Sequence, residues 1–201
     1  MQNGEFLVKA DLTELSLEEL WTLFPIILKK HNPNYKDWYE EEKQRIIRHV
    51  KPENIVRISH IGSTAVEGLA AKPTVDILLE IDGACSVSEA AETLENLGWG
   101  LMSRENDPVK LSFSKGYTPQ GFPDRVYHLH VRYFGNWPEL YFRDFLKAHP
   151  DVAGEYERLK LKLWKQYEYD RDGYTEAKTD FIKRYSDIAK IEFNNKYLPE
   201  G

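Results

Sequence analysis

The sequence HIGSTA at residues 60–65, followed by KPTVDILLE at residues 72–80, decides how the fold is interpreted. Gly62 and Ser63 predict a small turn whose backbone N–H groups can approach an anion. Asp76 follows thirteen positions after Ser63 on an apolar run, where its carboxylate can hold a metal ion beside that anion. Phosphate chemistry needs these two parts close together, although a Gly-Ser turn before a strand aspartate is common on its own.

Strand alternation sorts the polar side chains around this stretch. Residues 74–81 are predicted to form a buried strand, because their apolar character is almost unbroken. Residues 126–133 are predicted to form another strand, on which three polar side chains share one face: His128, His130 and Arg132. If the two strands are neighbours with these faces aligned, Asp76 and this set form one polar pocket on the sheet.

The remaining chain predicts an N-terminal extension and one larger unit. Residues 1–33 are predicted to form a helical extension, in which Ser16 and Glu19 make a capping box. Residues 34–201 are predicted to fold as a single cooperative domain, because no linker separates the strands from the C-terminal helices. Further strands are expected at 55–58 and 109–114, a Gly- and Pro-rich loop at 115–125, and helices at 37–50, from 86 to about 98, and beyond 136. Pro150 and Gly173 are expected to mark breaks between the C-terminal helices.

Composition limits the classes of function. The 201 residues carry a net charge of −6 with acids and bases interspersed, so binding to duplex nucleic acid is not expected. Cys85 is the single cysteine, which excludes an internal disulfide and a thiolate zinc cage. The N-terminal residues lack the pattern of a signal peptide, and the apolar stretch at 21–28 is too short to span a membrane. A cytoplasmic protein that does not bind membranes is therefore expected.

Several blocks of the sequence resemble the GrpB family. The stretch from His60 to Asp76 is similar to the signature of that family. The other similar blocks follow in the family's order: Tyr35-x-x-Trp38, His128-Leu-His-Val131, Phe142-Arg-Asp-Phe-Leu146 with His149-Pro150, Tyr156-x-x-Leu-Lys160 and Tyr174-x-x-x-Lys178. The resemblance runs from about Asn34 to Ala189. Separated blocks in one order are more specific than any single block.

The GrpB family resembles the nucleotidyltransferase superfamily in fold. This implies an α+β protein with a nucleotidyltransferase-like mixed β-sheet flanked by helices, and a C-terminal helical segment packed on it. It also implies a Gly-Ser turn at nucleotide phosphates and strand carboxylates that hold a divalent metal, Mg²⁺ first of all. The superfamily pattern has a second acid two residues after the first, where this chain has Leu78, and a third on a later strand, where it has His128 and His130. One carboxylate with two imidazoles makes a softer site that also suits Mn²⁺ or Zn²⁺.

The residues and the resemblance together assign expected roles. Asp76, His128 and His130 are the expected catalytic residues, with Asp76 holding the metal and the histidines completing its coordination, contacting phosphate or acting as acid and base. The expected phosphate- or nucleotide-binding residues are Gly62, Ser63, Thr64, Lys72, Arg132, Arg143, Lys160 and Lys178.

Each assignment has a structural alternative. Gly62 can serve turn geometry alone, and Ser63 can cap the helix that follows. Asp76 can pair with Lys72 or Arg132, since a buried carboxylate without a partner is costly. The lysines can keep their ammonium groups in water, as helical lysines usually do.

Two functions therefore stay open. The first is an enzyme-like protein that binds a nucleotide or phosphorylated small molecule with a divalent metal and transfers a nucleotidyl group to a small acceptor. The second is a binding or regulatory module that kept the pocket without catalysis, which Leu78 favours. GrpB-like segments also occur fused to the enzyme that phosphorylates dephospho-coenzyme A, which implies a role related to coenzyme A or to assisted folding. Only the first function predicts a product.

Overall fold

The computed structural model describes residues 15–199, which form a mixed β-sheet with helices on both faces. The strands are β1 (Ile55–Ile61), β2 (Thr74–Ile81), β3 (Gly100–Asn106), β4 (Val109–Lys115) and β5 (Val126–Tyr133). The helices are α1 (Leu17–Leu23), α2 (Tyr35–His49), α3 (Val87–Asn96), α4 (Pro138–Ala148), α5 (Pro150–Gln166), α6 (Arg171–Glu176) and α7 (Thr179–Glu192). The predicted α+β fold with a C-terminal helical segment packed on the sheet is confirmed.

The sheet has five strands in the order β1-β2-β5-β4-β3. Its one parallel pair is β2 with β5, and the other neighbours run antiparallel. The register places Asp76 directly opposite His128, and Leu78 opposite His130. Because successive side chains alternate between the faces of a strand, Asp76 and both histidines lie on one face of the sheet.

The two faces of the sheet are covered differently. One face packs against α2 and α3, and residues such as Ile77, Leu79 and Leu129 are fully buried there. On the other face, α4 brings Leu140 against Leu78. Helices α4, α5 and α7 pack together beside it around a second apolar cluster. Coverage on both faces explains the near-continuous apolar run of β2.

Part of the predicted N-terminal extension packs on the domain. Phe24, Ile26 and Leu28 are buried, and the Ile26 N–H donates to the Glu168 carbonyl over 2.7 Å. The capping box at Ser16 is confirmed. The domain boundary at residue 33 stays a prediction, and residues 1–14 of the predicted extension lie outside the described residues.

The structure corrects three local expectations. β3 was not expected, because its exposed, polar sequence lacks the apolar alternation of a half-buried strand. β1 was expected to end at residue 58 and instead continues through His60 to Ile61, directly up to the predicted Gly-Ser turn. Gly173 was expected to break a helix and instead lies within the short helix α6.

Within residues 15–199, none of the helices combines the length and apolar character that crossing a membrane requires.

Candidate functional site

A cavity of about 860 Å³ lies on the face of the sheet that carries Asp76. Its walls come from β2, β5, the turn after β1, the helices α5, α6 and α7, and α1. Nine of the residues predicted from the sequence line it: Gly62, Ser63, Thr64, Lys72, Asp76, His128, His130, Lys160 and Lys178. The parallel register of β2 and β5 is what brings the carboxylate and the imidazoles together.

Gly62 places the turn directly against the Asp76 carboxylate. Its backbone has φ +70° and ψ −174°, a combination that is essentially restricted to glycine. A Cβ built at Gly62 would overlap the Asp76 Oδ2 and lie only 3.1 Å from the Asp76 Cβ and Cγ. The glycine therefore serves both backbone conformation and close approach, and no other residue fits here.

A chain of hydrogen bonds orients the carboxylate. Arg171 Nη2 donates to the Tyr117 hydroxyl oxygen over 3.1 Å, and the Tyr117 hydroxyl lies 2.8 Å from His128 Nε2. Since the Tyr117 hydroxyl oxygen accepts a hydrogen bond from Arg171, the hydroxyl can donate its own hydrogen bond to His128 Nε2. His128 then carries its proton on Nδ1, which lies 3.3 Å from Asp76 Oδ1. The sequence gives no indication of a role for Tyr117 or Arg171, because their loop and short helix show no periodic pattern.

The protonation states follow from this arrangement. Burial would raise the pKa of Asp76, but the hydrogen bond from His128 and the neighbouring positive charges outweigh it, so the pKa lies below its ordinary value. Burial lowers the pKa of His130 to about 4 despite the nearby carboxylate. At neutral pH the pocket therefore holds an ionised Asp76 and a neutral His130.

The predicted metal ligands do not form a complete metal site. Within the described part of the chain, no three His, Cys, Asp or Glu side chains are grouped so that they could hold an ion. Leu78, at the position of the second acid, is fully buried with Ile61 and Leu140. Both ring nitrogens of His128 already face Tyr117 and Asp76. The residues present fit at most one ion shared with oxygens of a ligand.

Three lysines from different parts of the chain line the cavity together with the turn: Lys72, Lys160 and Lys178. Lys160 of α5 is only 3% exposed, and it donates to Ser63 Oγ over 3.1 Å and to the Ala70 carbonyl. Lys178 is 9% exposed and lies 4.0 Å from the centre of the Tyr174 ring. Lys72 lies 5.7 Å from the same ring. Among residues 15–199, none of the three has a carboxylate within ion-pair distance.

Burial lowers the pKa values of these three lysines, because none of them has a carboxylate of the described residues within ion-pair distance. It lowers the pKa of Lys160 to about 7 although the charge of Glu157 opposes the change. It also lowers the pKa of Lys178 to about 7, where neighbouring lysines add to the effect and Asp76 opposes it. It lowers the pKa of Lys72 to about 8, with a further contribution from Arg171. An anion that entered the cavity would raise the pKa of each lysine towards its ordinary value.

Two further carboxylates line the cavity without pairing with these lysines. Asp172 is exposed at the rim, and the charge of Glu139 acts on Arg132. The Glu139 Oε2 is buried and has no hydrogen-bond partner among the described residues. The cavity therefore carries charges of both signs, and the buried lysines are the cations that line it with the Gly-Ser turn.

The structure does not bring Arg132 and Arg143 into the cavity, contrary to expectation. Arg132 is 7% exposed and donates to the carbonyls of Leu111 and Val131 over 2.8 and 2.9 Å. Arg143 donates to the His60 carbonyl over 3.0 Å and pairs with Asp144 at 2.7 Å. Strand parity gave the correct face for Arg132, but its side chain reaches one backbone carbonyl of β4 and one of its own strand instead of the turn.

Comparison with protein families and curated proteins gives a consistent assignment. The family model described as GrpB protein matches residues 25–187. The UPF0157 protein YqkA of Bacillus subtilis is 31% identical over 192 residues, which cover 94% of this chain and 54% of that protein. The glutamate-rich protein GrpB of Alkalihalophilus pseudofirmus is 34% identical over 161 residues, covering 78% of this chain and 91% of that protein. The chain thus spans about half the length of the Bacillus relative.

A more distant relative is a longer protein that matches this chain over part of its length. The dephospho-CoA kinase of Mycolicibacterium paratuberculosis is 26% identical over 169 residues, covering 72% of this chain and 41% of that protein. A segment similar to this chain is therefore part of that longer protein, as the resemblance implied.

Solved structures support the same assignment. The crystal structure of GrpB from Enterococcus faecalis superposes with a TM-score of 0.72 at 28% identity, covering 83% of this chain and 99% of that one. A structure of the Cid1 poly(U) polymerase with Mg and 3'-dATP bound has a TM-score of 0.50 at 10% identity, covering 80% of this chain and 51% of that one. The latter shows that the fold is nucleotidyltransferase-like and shows nothing about activity. On the family match and these relatives, the chain belongs to the GrpB protein family.

Proposed function

We propose that the cavity binds a nucleotide or another phosphorylated small molecule, with its phosphate between the Gly62–Ser63 turn and the buried lysines. The observation that carries this proposal is the group of buried lysines that line the cavity with the turn and make no ion pair among the described residues. Buried charges are costly unless they are paired. A bound anion would therefore stabilise the folded protein and raise the pKa values of Lys160 and Lys178.

The geometry supports a division of roles among the side chains. Lys160 Nζ and Ser63 Oγ, 3.1 Å apart, present a charge and a hydroxyl to the same phosphate. Lys178 and Lys72 approach from the side of Tyr174 and neutralise further phosphate charge. Binding in such a site depends on positioning and on charge neutralisation, the two contributions that also dominate phosphoryl transfer.

If the bound molecule reacts, nucleotidyl transfer to a small acceptor is the reaction that the fold supports best. Asp76 is ionised and fixed by His128, so it can accept the proton of an acceptor hydroxyl placed near the turn. The hydroxyl oxygen would bond to the α-phosphorus of a bound nucleoside triphosphate, and pyrophosphate would leave. One divalent ion, Mg²⁺ before Mn²⁺ or Zn²⁺, can be shared between Asp76 and phosphate oxygens. Titration of each metal in the presence and absence of nucleotide measures this part of the proposal.

The alternative is a non-catalytic binding module, and Leu78 favours it. This side chain is fully buried against Ile61 and Leu140, so the second acid is replaced by apolar packing. The similarity to a dephospho-CoA kinase makes dephospho-coenzyme A a ligand to include in binding assays. Release of pyrophosphate from nucleoside triphosphates, measured with an acceptor mixture, distinguishes an enzyme from a binding module.

Calorimetric titration with inorganic pyrophosphate tests the phosphate site directly. We expect binding to the full chain, and a loss of about tenfold or more in affinity for Lys178→Met, because a charge-assisted contact is removed. Lys183→Met is the matched control, since Lys183 is exposed on α7 and lies outside the cavity. The absence of pyrophosphate and nucleotide binding, with or without Mg²⁺, would overturn the proposal, as would equal effects of the two variants.

A further inference from the structure

We infer that the ligand carries a planar nucleobase, which packs against an apolar wall that α1 and β3 contribute to the cavity. The wall consists of Leu17, Leu20, Trp21, Phe24, Leu101 and Met102. This inference rests on the proposed phosphate site, since it identifies the chemical nature of the remaining part of the same ligand. It adds a specificity-determining surface that lies outside the sequence blocks of the family.

The wall exposes apolar side chains in an unusual concentration. Leu17 is 62% exposed, Leu101 42% and Met102 58%, yet all three line the same cavity. None of the residues of α1, all of which are described, is buried. Single exposed apolar residues are ordinary, but several that converge on a concave surface mark a binding site.

An irregularity in β3 contributes two successive residues to this wall. The pairing of β3 with β4 shifts register between Leu101 and Ser103. In a regular strand, one of two successive side chains would turn to the opposite face. With the register shift, both Leu101 and Met102 line the cavity. Bulges of this kind commonly re-aim side chains beside functional sites.

The apolar wall begins beside the hydrogen-bonded chain of Arg171, Tyr117 and His128 that leads to Asp76. Phe24 meets the Tyr117 ring edge to face at a centroid distance of 4.9 Å. Tyr117 is in turn bonded to Arg171 and His128. A single molecule of nucleotide size can therefore reach both ends, because the cavity of about 860 Å³ lies within the range of small-molecule sites.

The chemistry of the wall favours a planar ring over an alkyl chain. Trp21 offers an aromatic surface, and Met102, which is 58% exposed, offers a polarisable thioether. Phe24 is buried behind them against Tyr117 and Phe122. Base–aromatic stacking contributes substantially to nucleotide binding by other proteins. An alkyl diphosphate would gain only from burial of apolar area.

The test compares three probes by calorimetry: inorganic pyrophosphate, ADP and a short alkyl diphosphate. We expect ADP to bind more tightly than pyrophosphate, and Trp21→Ala to reduce ADP affinity about fivefold or more while leaving pyrophosphate affinity unchanged. Trp21→Phe should restore most of the affinity for ADP. Leu17→Ser should act in the same direction as Trp21→Ala, and Ile191→Ser is its matched control, since Ile191 is 82% exposed on α7 and away from the cavity.

The outcomes separate this inference from the proposed function. Equal affinities for ADP and pyrophosphate, or an unchanged preference for ADP in Trp21→Ala and Leu17→Ser, would overturn the base-binding wall and leave the phosphate site intact. An alkyl diphosphate that binds more tightly than ADP would also overturn it. Failure of all three probes to bind would instead overturn the phosphate site.

Discussion

Replacement of Gly62 by alanine tests whether the turn is pressed against Asp76. The backbone at Gly62 has φ +70° and ψ −174°, which costs a non-glycine residue about 1–3 kcal/mol. The new Cβ would also overlap Asp76 Oδ2, and overpacking of this kind costs about 1–3 kcal/mol more. We therefore expect Gly62→Ala to reduce the free energy of unfolding by about 2–6 kcal/mol.

Gly68→Ala provides the matched control for this experiment. Gly68 has a similar φ of +78°, but a Cβ built there meets no atom within 4 Å. Its replacement should cost only the backbone strain of about 1–2 kcal/mol. For a chain of this length, a difference of about 2–3 kcal/mol between the two variants corresponds to roughly 4–12 °C in melting temperature.

Urea denaturation and thermal melting measure both variants, and a double-mutant cycle with Asp76→Ala isolates the contact. The loss caused by Gly62→Ala should shrink when the Asp76 oxygens are absent, because the overlapping atom has been removed. Equal losses for Gly62→Ala and Gly68→Ala, together with no coupling to Asp76→Ala, would refute the close approach of turn and carboxylate.

Further predictions concern the charges. Asp76→Asn should tighten pyrophosphate binding in EDTA by about fivefold, since one nearby negative charge contributes ~1 kcal/mol even in water-like surroundings; weaker binding by calorimetry would show that the carboxylate itself is required. The pKa of Lys178 is lowered to about 7 in the folded chain against an ordinary value of 10.5, so the unfolded chain binds more protons between these pH values. The free energy of unfolding without ligand should therefore rise from pH 7 to pH 9, and rise less in Lys178→Met; urea denaturation curves that show a parallel rise in both proteins would contradict this. Arg57 pairs with the fully buried Glu80 at 2.5 Å, so Arg57→Ala should cost about 3–5 kcal/mol, whereas Lys51→Ala, which breaks an exposed pair, should cost under about 1 kcal/mol. Similar losses of denaturation free energy in these two variants would count against the role of the buried pair.

The parts of the site that lie on regular strands could be predicted from the sequence. The period-2 alternation of β2 and β5 placed Asp76, His128 and His130 on one face, and the parallel pairing then aligned them. Gly62 could be placed at a turn, but only the structure shows that its missing side chain makes room for a carboxylate. Alternation predicts faces reliably because it depends on local geometry alone.

The parts that depend on side-chain reach could not be predicted. Arg132 lies on the predicted strand, but its guanidinium donates to backbone carbonyls, a choice set by contacts distant in sequence. Tyr117 and Arg171 are 54 residues apart and share a hydrogen bond, and neither belongs to a periodic pattern. The strand β3 is exposed along its length, so it lacks the apolar alternation from which strands are recognised.

The charges of the cavity suggest that protons and a divalent cation are alternative ways to neutralise the same phosphate. A site built around two metal ions needs several carboxylates, whereas this one has Asp76 facing Lys72, Lys160 and Lys178. Because the pKa values of these lysines lie near 7 to 8, a bound anion would keep their protons in place, and a nearby cation would favour their release. Anion binding should therefore take up protons at pH 8 in EDTA, and less so when Mg²⁺ accompanies the ligand. Calorimetry in buffers of different ionisation enthalpy measures that uptake, and an identical proton uptake with and without Mg²⁺ would contradict the exchange of one charge for the other.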